Sequence, residues 1–462
     1  MTHVLEGVRY HENILQTVGN TPLVRLRKVA ALSPCPVLVK AEYFNPGGSV
    51  KDRIGLAMVD AAVRDGRLKP GGTIVECTSG NTGLGLAMVA AVQGYRAVFC
   101  MPDKVSSEKV YLLKAFGAEV LLSPTAVAPE SPESYYSVAK RIERERPGAV
   151  LMNQYHNPAN PQAHYASTGP ELWEQTAGKI TCFVAGMGTG GTITGTARYL
   201  KEKNSKIQVV GADPVGSILR HYHETGKMSE AHTYKIEGVG EDFIPSVFDF
   251  SLIDRVLSCS DRNGLNMARR IAREEAIFTG GSGGMAVWVG LEYAKTLTAD
   301  DLMVVLLPDT GERYLSKVHS DEWMRDNHLL DPGSATAGQL VDTKSRKVPR
   351  LLSVSSGAPL KAALQLIEQH EISQIPVLRG NDVIGTLEES EILKAAMSNP
   401  SAIDRPVDAM MKEPLAVVSA DDHIEQVTKL LVRDPAVLVK RDGTIIGILT
   451  RYDMLQFMAG GE

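Results

Sequence analysis

Through roughly the first 325 of the 462 residues, short apolar runs alternate with stretches whose apolar positions recur at helical spacing. Val37–Ala41, Thr73–Cys77, Ala97–Met101, Val120–Leu122, Cys182–Ala185, Val209–Ala212 and Met303–Leu307 are such runs, bounded by turn residues. Continuous apolar runs of this length are the pattern of strands buried on both faces. Leu84–Gln93 and Ile193–Lys203 follow glycine-rich turns and read as helices. Strand, turn, helix at this cadence predicts parallel α/β units.

The pattern then changes. Residues 331–347 are small and polar, the composition of a linker. Beyond them a weak repeat of about 60 residues predicts β–α–β–β–α twice. The first copy has a helix at Leu360–His370, strands at Gln374–Leu378 and Val383–Leu387, and a helix at Glu389–Met397. The second has a helix at His423–Val432, strands at Ala436–Val439 and Ile445–Leu449, and a helix at Tyr452–Met458. One such unit buries little core, so the two are expected to pack together. The organisation is a domain at 1–325, a linker at 326–347, and repeated motifs at 348–400 and 401–462.

Composition narrows the function classes. At 44% hydrophobic and 22% charged residues the chain is of ordinary globular type. Lysine and arginine number 49 against 54 acidic residues, a net charge of −5, so no basic excess points to nucleic acid or an anionic membrane. The longest apolar runs, 86–92 and 302–307, fall far short of the ~20 residues that span a bilayer. The N-terminal segment lacks a basic region followed by an apolar run, the mark of a signal peptide. Cys35, Cys77, Cys100, Cys182 and Cys259 are scattered without a CxxC pair. That argues against a disulfide framework or a thiolate metal site and predicts a cytoplasmic protein.

Glycine-rich turns carry the candidate chemistry. Asn45-Pro46-Gly47-Gly48-Ser49-Val50-Lys51 places a lysine at a helix start. Partial positive charge there lowers its pKa and favours a nucleophilic amine. Thr78-Ser79-Gly80-Asn81-Thr82-Gly83 offers hydroxyls and N–H groups at a helix N-terminus, suited to a carboxylate. Gly186-Met187-Gly188-Thr189-Gly190-Gly191-Thr192 suits a compact phosphate monoester. It lacks the Lys-Ser/Thr of a nucleotide P-loop and the acidic residue of a dinucleotide fingerprint, for which Asp213 is a poor candidate. Gly280-Gly281-Ser282-Gly283-Gly284 presents a hydroxyl that suits a ring nitrogen, and Glu237–Pro245 reads as a loop able to close over substrate. An amine, a phosphate cup, a carboxylate cup and a ring-nitrogen partner together describe a pyridoxal phosphate site.

On these motifs residues 12–325 resemble the fold-type II pyridoxal phosphate enzymes of the β-replacement group, cystathionine β-synthases and cysteine synthases. The segment 348–460 looks like a pair of CBS motifs, a Bateman module. The resemblance implies a three-layer αβα catalytic domain, tryptophan synthase β-like, followed by that module. It implies that Lys51 is the Schiff-base lysine and that Asn81 bonds the cofactor's ring hydroxyl. Gly188, Thr189, Gly190, Gly191 and Thr192 match the phosphate cup, and Ser282 faces the pyridine nitrogen. Thr78, Ser79, Thr82 and Gln154 match positions holding the substrate α-carboxylate, with Tyr155 and Gly238 also on the substrate side.

The two groups divide the remaining signals. Gln154-Tyr155, Gly240–Pro245 and the CBS pair look like cystathionine β-synthase, which joins L-serine to L-homocysteine. Asn157–Pro161, Thr168–Trp173 and Asp309–Ser316 look like cysteine synthase, which uses O-acetylserine and sulfide. The first is favoured, with release of hydrogen sulfide from cysteine as a side activity. A degenerate, adenosine-sensing scaffold is disfavoured by intact Lys51, Asn81, Thr189 and Ser282. No Cys-His pair stands in the dozen residues before the fold, so haem is not expected, and His221-Tyr222-His223 reads as a surface helix rather than a metal site. A glutamate, Glu241, stands where a tyrosine often does. In the CBS pair, Thr450 and Asp453 match an adenosine-ligand site for S-adenosylmethionine. Glu388 and Glu391 at the equivalent places of the first copy would repel a phosphate. A homodimer or homotetramer is implied.

Overall fold

The computed structural model describes residues 9–78, 80–103, 105, 107–124, 127, 131–330, 336–343, 349 and 351–459. It divides into two compact units, Met1–Leu329 and Leu330–Glu462.

The first unit carries strands β1 (Leu23–Arg25), β2 (Val37–Ala41), β3 (Thr73–Cys77), β4 (Arg96–Pro102), β5 (Glu119–Ser123), β6 (Ala149–Leu151), β7 (Cys182–Gly186), β8 (Gln208–Pro214), β9 (Arg255–Cys259) and β10 (Met303–Leu307). They form two sheets, ordered β1-β2-β10-β7-β8-β9 and β5-β4-β3-β6. Every pairing is parallel except β1 with β2. β3 and β10 are buried along their whole length, as their apolar runs require. β1, β6 and β9 lack such a run. β1 is a half-exposed edge, β6 has three residues, and β9 has Arg255 and Ser258 in place of apolar residues.

Two helices that begin at motif residues pack very closely. A Cβ on Gly55 of helix Lys51–Arg64 would stand 2.7 Å from the carbonyl carbon of Gly85 in helix Asn81–Gln93. One on Gly85 would stand 2.7 Å from the backbone oxygen of Lys51. Only glycine permits this approach, and it sets the Lys51 and Asn81 helix starts side by side. Below them Arg53 pairs with Glu42 (2.7 Å) and Glu171 (2.6 Å), and Glu171 also takes Lys40 (2.7 Å). This buried network ties the Lys51 helix to β2 and to helix Thr168–Gln175.

The second unit is two copies of one fold. β11 (Val354–Ser355), β12 (Gln374–Arg379) and β13 (Asp382–Glu388) form one sheet, and β14 (Val417–Ser419), β15 (Ala436–Arg441) and β16 (Thr444–Thr450) the other. In each, the first pair is parallel, the second antiparallel, and the register slips at the equivalent place. The segment read as linker is corrected by a helix at Ala337–Thr343. Its Ala337, Leu340 and Val341 are buried, and Gly338 N donates to Ala420 O at 2.8 Å. Three apolar positions among small residues are too few to signal it, and the second sheet supplies the rest of its core. No helix among the described residues is long and apolar enough to cross a membrane.

Candidate active site

The site assembles at the C-terminal end of β10, the usual place for ligands in parallel sheets. Val50 N donates to Pro308 O at 2.8 Å, and Ser49 bridges to Asp309. The next residue, Lys51, opens its helix. Its Nζ makes no hydrogen bond to another described residue. Burial pushes its pKa down, and the carboxylates of Asp309 and Glu241 oppose that. The direction is the one expected for an amine nucleophile, but its leading cause is burial rather than the helix end. Lys51 lines one cavity with Gly188, Thr189, Gly190, Thr192 and Gly238.

Those glycines are structurally required. Gly190 has φ +90°, and a Cβ there would meet the Phe248 ring at 2.5 Å. One on Gly188 would stand 2.8 Å from Gly238 O. Gly191 opens helix Gly191–Lys203, so the turn's N–H groups and the Thr189 and Thr192 hydroxyls sit at a helix N-terminus. Both threonines are braced from helix Ala159–Ala166. Asn160 Nδ2 donates to Thr189 Oγ1 (3.3 Å) and to Gln154 O (2.8 Å), and His164 Nε2 lies 3.2 Å from Thr192 Oγ1.

Asn81 is clamped. Its Nδ2 donates to Asp309 Oδ2 at 2.8 Å, and Arg313 donates to its Oδ1 and to Gly47 O. Tyr314 OH donates to Asp309 Oδ2 at 2.7 Å, while Asp309 Oδ1 is buried without a hydrogen-bond partner among the described residues. Thr279 Oγ1 donates to Asp309 O (3.1 Å), which carries the turn of Ser282 to the same point. Ser282 is buried at the start of helix Gly281–Ala294.

At the start of helix Asn81–Gln93 Thr82 Oγ1 donates to Gln154 Oε1 at 2.6 Å, and Gly80 N to Thr78 Oγ1 at 3.1 Å. Ser79 lies outside the described residues. Gln154 N donates to Glu76 Oε2 at 3.3 Å, and burial pushes the Glu76 carboxyl up to about 8. Tyr155 meets Phe243 edge-on, with ring centroids 5.1 Å apart. Burial, with Asp242 adding, pushes the Glu241 carboxyl up to about 8, and Lys51 opposes. The chain Thr82–Gln154–Asn160–Thr189 therefore joins the two cups through hydrogen bonds.

In the second unit Thr450 and Asp453 bond each other. Asp453 Oδ2 accepts from Thr450 N and Oγ1, both at 2.7 Å, which caps helix Arg451–Ala459. In the first copy Lys412 pairs with Glu388 (3.0 Å) and Glu391 (3.7 Å), so the acidic position is offset by a lysine that motif comparison did not show. Among the described residues no cluster of three His, Cys, Asp or Glu is placed to hold a metal ion. His223 lies on helix Leu219–Thr225 with Nε2 2.8 Å from Ile253 O.

Asp309, Arg313, Asn160 and His164 were missed as site residues. Asn160 and His164 carried a signal, a polar pair four apart on one short helix. Asp309 carried a weaker one, an acid two residues beyond a buried strand.

The family model described as pyridoxal-phosphate dependent enzyme matches residues 14–309, and that described as CBS domain matches 346–398 and 407–460. A cystathionine beta-synthase of Dictyostelium discoideum is 39% identical over 97% of this chain and 92% of its own length. A cysteine synthase of Staphylococcus aureus is 44% identical over 66% of this chain and 96% of its own. A hydrogen sulfide-producing enzyme of Fusobacterium nucleatum has a crystal structure similar at TM-score 0.61 and 35% identity, over 66% of this chain and 100% of that one.

Proposed function

Because the chain belongs to the pyridoxal-phosphate dependent enzymes, and within them to the cystathionine β-synthase family with its CBS pair, we propose that it joins L-serine to L-homocysteine by β-replacement. The first unit has the fold-type II architecture and the second is a tandem CBS module. The observation that carries the reading is the cavity that Lys51, whose amine makes no hydrogen bond to another described residue, shares with Gly188, Thr189, Gly190 and Thr192. The residues fit pyridoxal phosphate. Glycines that admit no Cβ leave the turn's backbone open to a phosphate, two hydroxyls add donors, and the Asn81 amide is held in one orientation.

When bound, the cofactor supplies an electron sink that acidifies the substrate's Cα–H. Lys51, buried and biased towards the neutral amine, takes that Cα proton. The resulting Lys51 ammonium gives that proton to the departing β-hydroxyl, which leaves as water. Lys51, neutral again, takes the proton of the incoming thiol as the thiolate adds at Cβ, and delivers that proton to Cα. Thr78, Thr82 and Gln154, with Ser79, hold the α-carboxylate. Ser282 offers the ring nitrogen a neutral hydroxyl rather than a carboxylate, which favours elimination of the β-substituent. Tyr155 and Gly238 bound the substrate side.

Alignment over 97% of the chain with a cystathionine β-synthase, CBS pair included, favours homocysteine as the thiol. The 44% identity to a cysteine synthase keeps O-acetylserine with sulfide as the second reading. Hydrogen sulfide release from cysteine is proposed as a side activity, in keeping with the Fusobacterium relative. The second CBS copy is proposed to take an adenosine ligand such as S-adenosylmethionine at Thr450 and Asp453. A substrate panel of serine or O-acetylserine with homocysteine or sulfide, read by mass spectrometry, tests the reading. Cystathionine from serine and homocysteine is expected, and turnover of O-acetylserine with sulfide alone would replace it by the second reading.

A further inference from the structure

His164 is wholly buried, yet its two ring nitrogens reach two hydroxyls: Nδ1 lies 2.9 Å from Thr168 Oγ1 and Nε2 3.2 Å from Thr192 Oγ1. Thr168 is itself buried, at the start of helix Thr168–Gln175. Burial, helped by the nearby Arg53 and Lys51 charges, pushes the imidazole's pKa well down, and Glu171 opposes. The ring is therefore neutral, with one donor and one acceptor nitrogen.

The direction of the chain follows from its end. A phosphate offers only acceptors, so Thr192 serves it by pointing its O–H outward. Its oxygen must then accept from behind, which requires the proton on Nε2. Nδ1 is then the acceptor, and Thr168 O–H donates to it. We propose that Thr168, His164 and Thr192 form a one-way relay in which His164 is the positioning residue that aims the Thr192 hydroxyl at the cofactor phosphate. The proposal rests on the reading of Gly188–Thr192 as the phosphate cup.

Four variants test it: His164→Leu, His164→Gln, Thr168→Val and Thr192→Val. Holoenzyme is read by the phosphorus-31 shift of the bound cofactor, and resolved enzyme by its affinity for added pyridoxal phosphate. Loss of a hydrogen bond to a charged group lowers affinity about tenfold or more. Thr192→Val should lose that much, His164→Leu should lose several-fold through the misaimed hydroxyl, and both should move the phosphorus signal. His164→Gln restores a donor near the Nε2 position and should recover most of both, while Thr168→Val should shift the signal in the same direction by less. Normal affinity and phosphorus shift in His164→Leu, with Thr192→Val impaired, would overturn the relay and leave the cup reading standing. Normal values in Thr192→Val would overturn both. Should His164→Leu not fold, an unmoved phosphorus signal in Thr168→Val overturns the relay.

Discussion

Gly191→Ala is the most economical perturbation of the site. Gly191 has ordinary helical backbone, so alanine introduces no strain in φ. Its Cβ would stand 1.8 Å from Asn160 Oδ1, against an ordinary contact of 3.4 Å or more, so the amide must retreat about 1.6 Å. The retreat breaks the bonds from Asn160 Nδ2 to Gln154 O at 2.8 Å and to Thr189 Oγ1 at 3.3 Å. Two lost bonds at about 1 kcal/mol each, plus an unsatisfied buried carbonyl at about 1–3 kcal/mol, dominate. Helix propensity returns at most about 1 kcal/mol. A net loss of about 2–4 kcal/mol is expected. The three tryptophans, Trp173, Trp288 and Trp323, all lie in the first unit, so their fluorescence in urea reports that unit alone. Asn160→Ala removes the collision, so the double variant should be no less stable than Asn160→Ala by itself. Strictly additive losses would refute the steric reasoning.

Arg53→Met should cost about 3–5 kcal/mol by stranding Glu42 and Glu171, measured by the same fluorescence. Arg53 and Lys40 hold the Glu171 carboxyl down at about 2, so this stabilisation is full above the unfolded value near 4.5 and fades as pH falls towards 2; the variant's urea midpoint should lose part of that acid slope. Glu241 behaves oppositely: the fold keeps its proton up to about 8 while the unfolded chain releases it near 4.5, so stability falls as pH rises through that window. Glu241→Gln should flatten the fall in midpoint between about pH 5 and 8, and an unchanged slope would assign it elsewhere. Asp453→Ala should destabilise the second unit by about 1 kcal/mol through loss of a cap, whatever ligand is present. Asp453→Asn keeps a capping oxygen, so loss of calorimetric heat with S-adenosylmethionine in that variant would report on ligand contact rather than folding.

The buried strands and the two β–α–β–β–α copies were legible because each is marked by its own local period. Helix Leu360–His370 falls where its amphipathic spacing placed it. The division into two sheets, and the insertion of β10 between β2 and β7, depend on pairings between residues more than a hundred apart, which no local pattern records. β1 and helix Ala337–Thr343 escaped because tertiary neighbours supply most of their apolar surroundings. The glycine turns announced the site, since a turn that admits no Cβ must be glycine. The clamp of Asp309 and Arg313 on Asn81 joins residues over two hundred positions apart. Asp309 and Arg313 belong to a segment that resembles the family, but nothing local in it records that the two meet Asn81.

The claim on which the whole account turns is that Lys51 is the cofactor's covalent partner. Borohydride reduction of the yellow holoenzyme, followed by digestion and peptide mass mapping, tests it directly. The account predicts a single pyridoxyl group on the peptide containing Lys51, and none in Lys51→Ala. A pyridoxyl group on another lysine, or unchanged labelling in Lys51→Ala, would contradict it.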